Sequence, residues 1–324
     1  MHRETGAGGP AALIVAGPTA SGKSALALDL ARRLGGTVIN ADSMQVYSEL
    51  RILTARPTPE EEAMVPHALY GVRSAAEPGS AAWWCGAALE AMTEARAQGR
   101  VPILCGGTGL YFSSLINGLS PIPAASPEAR EEARALLKQL GPAALHARLA
   151  AVDPATASRL RPTDSQRVAR AWEVWRSSGR GLADWQAQRG TPAAWRFRAV
   201  RLDPPREELR AAIEQRFTVM LQQGAVEEVR ALLALGLDAA LPAMRAHGVP
   251  ELAAYLRGEI PLEEAARRAR LATLQYAKRQ ATWFRHHALG EPGAVHTIHA
   301  RHAGLAQFSE RILGEVLNFI ETPA

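Results

Sequence analysis

The chain has 324 residues, 47% of them hydrophobic and 21% charged, with a formal net charge of +5. This length suggests two domains with a substantial core, and the composition excludes disordered, collagen-like and disulfide-framework proteins. Two cysteines, Cys85 and Cys105, stand in unrelated contexts without a C-x-x-C, which argues against a zinc knuckle and fits a reducing compartment. The positive balance suits a polyanionic partner, or simply a basic proteome. No stretch approaches the roughly 20 uninterrupted apolar residues of a membrane span. The apolar run Ala11–Ala16 is too short for a signal sequence, and cleavage there would destroy the loop that follows. The expectation is a soluble, cytoplasmic protein without membrane contact.

In chain order, Leu13-Ile14-Val15-Ala16 reads as a short buried strand. It runs into Gly17-Pro18-Thr19-Ala20-Ser21-Gly22-Lys23-Ser24, which fits G-x-x-x-x-G-K-[ST]. Leu26, Leu30 and Leu34 then form the stripe of an amphipathic helix. Strand, glycine-rich turn and helix N-terminus make an anion cradle, because backbone N–H groups converge there and the helix dipole adds partial positive charge. Lys23 is placed to reach a terminal phosphate, and the Ser24 hydroxyl to sit on Mg²⁺. The loop predicts a di- or triphosphate ligand and leaves open which bond breaks.

Gly35-Gly36 stops the helix, and Thr37–Asn40 is a second strand ending in Ala41-Asp42-Ser43-Met44-Gln45-Val46-Tyr47. Asp42 falls on the same carboxyl rim of the sheet as the loop. Asp is also a favoured helix cap, so position alone supports both a functional and a capping role. Residues 51–80 read as a long loop with a short helix at Pro59–Met64. Ser80–Gln98 is a helix with Trp83, Ala87, Ala91 and Ala95 at core spacing. A third strand, Val101–Leu104, leads into Cys105-Gly106-Gly107-Thr108-Gly109. No carboxylate ends this strand, which counts against nucleotide hydrolysis. Gly106 and Gly107 let something approach the backbone closely, and Thr108 supplies a hydroxyl there.

Around Gly118–Pro123 the pattern changes to helix after helix, through about Gln188, with start signals at Ser126-Pro127, Asp153-Pro154 and Asp164. In the run Asp164–Ser178, Val168, Trp172 and Trp175 share one face. Arg167 and Arg170 lie on another, which reads as either solvated or functional. Arg198–Leu202 returns the chain to the sheet. The next helix is striped by Leu209, Ile213, Phe217 and Met220, with Arg216 beside the stripe. A helix at Val226–Leu235 is stopped by Gly236. Pro242–Pro250 reads as a loop containing His247, which has no partner at metal spacing. Leu262–His287 is the longest helix, and Lys278–Arg285 within it sets basic and aromatic residues side by side, as a nucleic-acid strand requires. Val295–Ile298 is a last strand and Leu305–Ile320 a closing helix. The expected fold is α/β: a P-loop NTPase-like parallel sheet flanked by helices (1–120 and 196–324), with an all-helical insertion (121–195).

Four stretches together resemble the tRNA dimethylallyltransferases, also called tRNA isopentenyltransferases: Gly17–Ser24, Asp42–Tyr47, Gly106–Tyr111 and Lys278–Trp283. Thr54-Ala55-Arg56-Pro57, Pro66-His67, Gly118–Pro121 and Gln215-Arg216-Phe217 support the match, which spans Ala16 to Arg285. The resemblance implies transfer from dimethylallyl diphosphate to N6 of the adenosine 3′-adjacent to the anticodon, in the anticodon stem-loop of tRNA. Gly17, Pro18 and the backbone N–H groups of Thr19, Ala20, Ser21, Gly22, Lys23 and Ser24 would hold the diphosphate, with Mg²⁺ at Ser24 and Arg216 as a further contact. Asp42 would take the amine proton, and Thr108 would help to fix amine and base. RNA contacts map to Asp42, Ser43, Met44, Gln45, Thr108, Arg130, Gln166, Arg167, Val168, Ala169 and Arg170, and to Lys278, Arg279 and Arg285. One departure stands out. Where the family often shows Gly-Tyr-Arg/Lys, this chain has Gly248-Val249-Pro250, so the loop is expected to meet tRNA through Arg245 and more weakly. A monomer is expected. The competing readings are a P-loop small-molecule kinase, an isopentenyltransferase acting on free adenine nucleotides, and a non-catalytic tRNA-binding module.

Overall fold

The computed structural model describes residues 9–188, 190–302 and 310–321. The chain divides into two compact units, one ending at Ile116 and resuming at Ala193, the other Asn117–Pro192. The first unit opens with β1 (Ala11–Ala16), α1 (Lys23–Leu34), β2 (Gly36–Asn40), α2 (Pro59–Met64), β3 (His67–Ala68), α3 (Ala81–Ala97), β4 (Val101–Gly106) and α4 (Gly109–Ile116). The helical unit holds α5 (Pro127–Val152), α6 (Pro154–Ala157), α7 (Ser165–Ser178) and α8 (Leu182–Gln186). The first unit then resumes with β5 (Arg196–Leu202), α9 (Arg206–Gln222), α10 (Ala225–Ala234), α11 (Val249–Leu256), α12 (Leu262–His286), β6 (Val295–Ile298) and α13 (Glu310–Glu321). The first five residues of the expected closing helix, 305–309, lie outside the described residues.

The six strands form one all-parallel sheet in the order β3-β2-β4-β1-β5-β6. β1 lies between β4 and β5, with Val15 opposite Cys105 on one side and Val200 on the other. Parallel strands covered on both faces read as continuous apolar runs, and β1 shows why. Its Leu13 and Val15 face one layer with Leu26 and Leu30 of α1, while Ile14 and Ala16 face the opposite layer with Trp84, Met92 and Phe112. No helix among the described residues is long and apolar enough to cross a membrane.

Three expectations change. Within the expected loop 51–80, His67 and Ala68 pair in parallel with Val38 and Ile39 as the short edge strand β3, too short for a sequence pattern to show. On α3 the buried face is Trp84, Ala88, Met92 and Ala95: Ala95 is as expected, and the other three lie one residue beyond the predicted Trp83, Ala87 and Ala91. The physical reason is a hydrogen bond: the Trp84 indole N–H donates to the Asn40 carbonyl at 2.7 Å, and its ring stacks on Tyr111 at 4.3 Å. The segment expected to be a loop as far as Pro250 is instead the start of α11. Gly248 is its cap residue at φ 100°, Pro250 lies in its first turn, and Glu251 accepts the Gly248 N–H at 3.0 Å.

In the helical unit the start signals act as read. Ser126, Asp153 and Asp164 each accept a backbone N–H three residues on, from Ala129, Thr156 and Arg167. Its core gathers Leu145, Leu149, Val168, Trp172 and Val174.

Candidate active site

The loops after β1, β2 and β4, at the carboxyl end of the sheet, meet in one place. The turn after β1 carries two left-handed residues, Ala20 at φ 68° and Gly22 at φ 89°. Together they bend the backbone into a nest from which α1 departs. The nest is narrower than the sequence suggests. The Thr19 N–H donates to Gln280 Oε1 at 2.8 Å, and the Ser21 N–H to the Pro18 carbonyl at 3.2 Å. The N–H groups of Ala20, Gly22, Lys23 and Ser24 have no acceptor among the described residues and remain for a ligand. Beneath the turn, the Ser21 hydroxyl is fully buried and has no partner there either.

At the end of β2, the buried Asn40 amide fixes the geometry of Asp42. It donates to the carbonyls of Asp42 and Leu69 at 3.0 Å each, and its oxygen accepts the Asp42 N–H at 2.8 Å. Asp42 caps no helix. Its Oδ1 accepts the Met44 N–H at 2.9 Å, and Oδ2 has no partner among the described residues. At the end of β4, Thr108 Oγ1 accepts the Ser43 N–H at 3.0 Å, tying the two rim turns together. What approaches the rim glycines closely is protein. A Cβ on Gly106 would strike the Ala41 carbonyl, and one on Gly107 would strike the Gln280 amide. Gln280 is 4% exposed and bridges both turns, accepting from Thr19 and donating to the Gly107 carbonyl at 2.9 Å.

One cavity joins these parts. Thr19, Asp42 and Arg216 line it together with apolar Leu53, Ile213, Phe217 and Met220, and with Met44, His247 and Tyr276. The electrostatics are one-sided. Burial lowers the Lys23 pKa; Asp42 nearby partly opposes the shift, and Arg216 adds to it. Arg216 is pushed down to about 10, again chiefly by burial, with Asp42 opposing and Arg301 reinforcing. Neither cation has a carboxylate within ion-pair distance among the described residues, and Lys23 reaches only the Pro18 carbonyl, at 3.5 Å. His247 is lowered by burial and lies 5.0 Å from the Tyr276 ring. The Tyr276 phenol is raised, first by burial and then by Asp42, so it is a proton-bearing donor beside Thr108.

Several candidates sit elsewhere or are otherwise engaged. The Gln45 amide donates to the carbonyls of Thr54 and Ala55 at 2.8 and 2.9 Å, so it ties down a loop instead of facing outward. Val168 is fully buried in the core of the helical unit and cannot offer its side chain to RNA, and Ala169 packs against the same cluster. On that unit Arg130 and Gln166 are exposed, Arg167 pairs with Asp164, and Arg170 pairs with Glu173. Arg245 is exposed in a 3-10 turn, while Val249 is 1% exposed in the core. On α12, Lys278 and Arg279 are exposed, with Arg279 over the Tyr276 ring at the cavity, whereas Arg285 is held by Asp203 at 3.0 Å. The aromatic residues beside them are packed: Trp283 covers Gly109 and stacks on His287, and Phe284 is 2% exposed. The sequence reading missed Asn40, Tyr276 and Gln280 as parts of the site. For the last two, the 276, 280, 283 spacing on one helix face was the available signal.

Fold and loop together define a P-loop α/β protein. The IPP transferase family matches residues 45–287, and the isopentenyl transferase family residues 10–68. A tRNA dimethylallyltransferase of Granulibacter bethesdensis is 63% identical over 310 residues, covering 95% of this chain and 97% of that protein. One from Gluconobacter oxydans is 61% identical over 95% of this chain and 93% of that protein. The crystal structure of the full-length tRNA isopentenylpyrophosphate transferase from Bacillus halodurans superposes with TM-score 0.66 at 32% identity, covering 96% of this chain and 95% of that one. A eukaryotic dimethylallyltransferase acting on tRNA shares the fold, with TM-score 0.77 at 24% identity over 96% of this chain and 79% of that one. The chain belongs to the IPP transferase family.

Proposed function

We infer that this chain, a transferase, moves a dimethylallyl group from dimethylallyl diphosphate to N6 of the adenosine 3′-adjacent to the anticodon in tRNA, releasing diphosphate. The observation that carries this reading is the composition of the cavity at the phosphate loop. Arg216, without a carboxylate partner, and Thr19 of the phosphate loop line it together with an apolar wall and one tethered carboxylate, Asp42, and the loop continues from Thr19 into Lys23 and the four unengaged N–H groups. A diphosphate fits the cations and the loop, a five-carbon hydrocarbon the apolar wall, and an amine proton the carboxylate.

The chemistry follows from charge. As the allylic C–O bond breaks, its electron pair passes to the diphosphate. Donors already aimed at that oxygen-rich group stabilise it without reorganising. The N–H groups of Ala20, Gly22, Lys23 and Ser24 and the side chains of Lys23 and Arg216 supply them. Leu53, Ile213, Phe217 and Met220 exclude water from the electron-poor carbon, which would otherwise be hydrolysed. The adenine amine is a weak nucleophile because its lone pair is delocalised into the ring. Its attack on carbon requires loss of a proton, which passes to Asp42 Oδ2, the oxygen left open by the turn to Met44. Thr108, held against Ser43, and the Tyr276 phenol orient the amine. The base must leave its stack to enter, at a cost of a few kcal/mol, and exposed Lys278, Arg279 and Arg245 offer phosphate contacts to support it.

Mg²⁺ fits the donor set. Ser24 offers a hydroxyl at the start of α1 beside the four unengaged N–H groups, a hard oxygen donor of the kind Mg²⁺ takes alongside substrate phosphates. The exposed Ser24 would hold it, and the ion would supply further neutralisation of the leaving group. A monomeric enzyme of the cytoplasm, where unmodified tRNA is met, completes the reading.

The test is to incubate the full chain with unmodified tRNA, dimethylallyl diphosphate and Mg²⁺ and to analyse the nucleosides. Prenylated adenosine is expected. ATP turnover without prenylation would point instead to a kinase, and prenylation of free adenine nucleotides but not tRNA to the nucleotide-specific enzymes.

A further inference from the structure

Beyond β6 the chain turns back over the phosphate loop, and the way it is fastened there has a purpose the reaction has not yet used. The Arg301 backbone N–H donates to Glu208 on α9 at 3.2 Å, and its side-chain Nε donates to the Ala20 carbonyl at 3.0 Å. One residue on, the His302 N–H donates to the Ser21 carbonyl at 3.0 Å. The His302 imidazole meets Asp29 of α1 at 3.0 Å, with both side chains buried. The His302 backbone lies so close to Gly22 that a Cβ there would overlap it. Arg301 is therefore bracketed between α9, which carries Arg216, and Ala20, whose left-handed backbone shapes the nest. Its guanidinium has no carboxylate within ion-pair distance among the described residues, and it lies close enough to Arg216 to lower that group's pKa. Two guanidinium groups without a counter-ion, brought together at the edge of a nest of N–H donors, are stable neighbours when an anion with several oxygens lies between them.

We propose that Arg301, contributed by the segment after the last strand, is a second guanidinium of the diphosphate site and contacts the leaving group opposite Arg216. Nε is committed to Ala20, which leaves the two Nη groups for the ligand. That fork matches phosphate oxygens in a way a lysine cannot fully reproduce. The inference rests on the diphosphate reading above, and the experiment keeps the two separable.

Inorganic pyrophosphate is titrated into the full chain with Mg²⁺ by calorimetry, comparing wild type, Arg301→Gln and Arg301→Lys. Wild-type binding, about a 10- to 100-fold loss in the glutamine variant, and partial recovery with lysine would support the proposal. Unchanged affinity in Arg301→Gln would overturn it and leave the diphosphate site standing. Failure of the wild type to bind pyrophosphate would overturn both. If Arg301→Gln does not fold, dicarbonyl labelling of the wild type reads the same contact. Pyrophosphate is expected to shield Arg301 from modification at least several-fold by peptide mapping, as it shields Arg216. Equal labelling of Arg301 with and without pyrophosphate, while Arg216 is shielded, would count against the contact.

Discussion

The helical unit and the surroundings of the phosphate loop treat their basic side chains in opposite ways. In the helical unit Arg134, Arg167, Arg170 and Arg176 each meet a carboxylate, mostly one turn away on the same helix. Around the phosphate loop, Lys23, Arg216 and Arg301 meet none within ion-pair distance among the described residues, although burial already depresses the first two. Exposed pairs formed at i,i+3 contribute little to stability, and such a face can exchange its carboxylates for phosphates at small cost. Half-buried cations left without partners are different. They destabilise the free protein, and an arriving anion relieves them. The first pattern describes a solvated surface, the second what the proposed diphosphate site would show in the free protein.

The sharpest way to break this contrast is at the one carboxylate among the loop's cations. Asp42→Asn should lower single-turnover prenylation by about 10²- to 10⁴-fold while pyrophosphate binding survives. A full rate in that variant would remove Asp42 as the base. Next comes the cation cluster itself. Arg216→Gln should weaken pyrophosphate binding by about 10- to 100-fold, the range of hydrogen bonds to a charged group. The same residue sets a pH limit. Burial favours the neutral guanidine, so in the free protein the Arg216 pKa is pushed down to about 10, below the ordinary guanidinium range. Below that pH it is charged and binding is complete; above it each proton must be regained from solvent, and affinity falls. Accordingly, pyrophosphate at about 100 times Kd should stabilise the fold by about 2.7 kcal/mol near neutrality, and this gain should shrink as the pH rises through about 10. A gain that persists well above pH 10 would show that Arg216 is not a ligand.

The smallest effects belong to the solvated faces. Arg279→Ala should reduce the salt dependence of tRNA binding by about one phosphate contact, a slope change near 0.7–0.9. Arg170→Ala should shift stability by less than about 1 kcal/mol, since it removes a surface pair. Equal salt slopes for wild type and Arg279→Ala would place Arg279 among the merely solvated charges.

Local chemistry was legible. The phosphate loop, the bounds of α2 and the caps at Ser126, Asp153 and Asp164 depend on residues within a few positions of each other, and the chain carries them openly. The failures have definite causes. On α3, Trp83 and Trp84, Ala87 and Ala88, and Ala91 and Met92 offer two adjacent apolar stripes, and a bond to Asn40, 44 residues away, selects between them. Gly248 and Pro250 were read as loop punctuation, yet a glycine cap with proline in the first turn also begins a helix. Basic and aromatic residues of α12 are neighbours in sequence but lie on different faces, so the charges meet solvent and Trp283 and Phe284 meet the core.

By itself the sequence determined which chemical groups are present and the short elements that carry them: a glycine-rich turn with convergent N–H groups, a carboxylate on the next strand's rim, and a long basic helix. Tertiary structure alone decided which of those groups are free to act. Gln280 engages the Thr19 N–H from 261 residues away, and Arg301 reaches Ala20 across 281. A hydrogen-bond donor serves a ligand only if no buried partner has already taken it, and those partners are chosen by packing between distant segments.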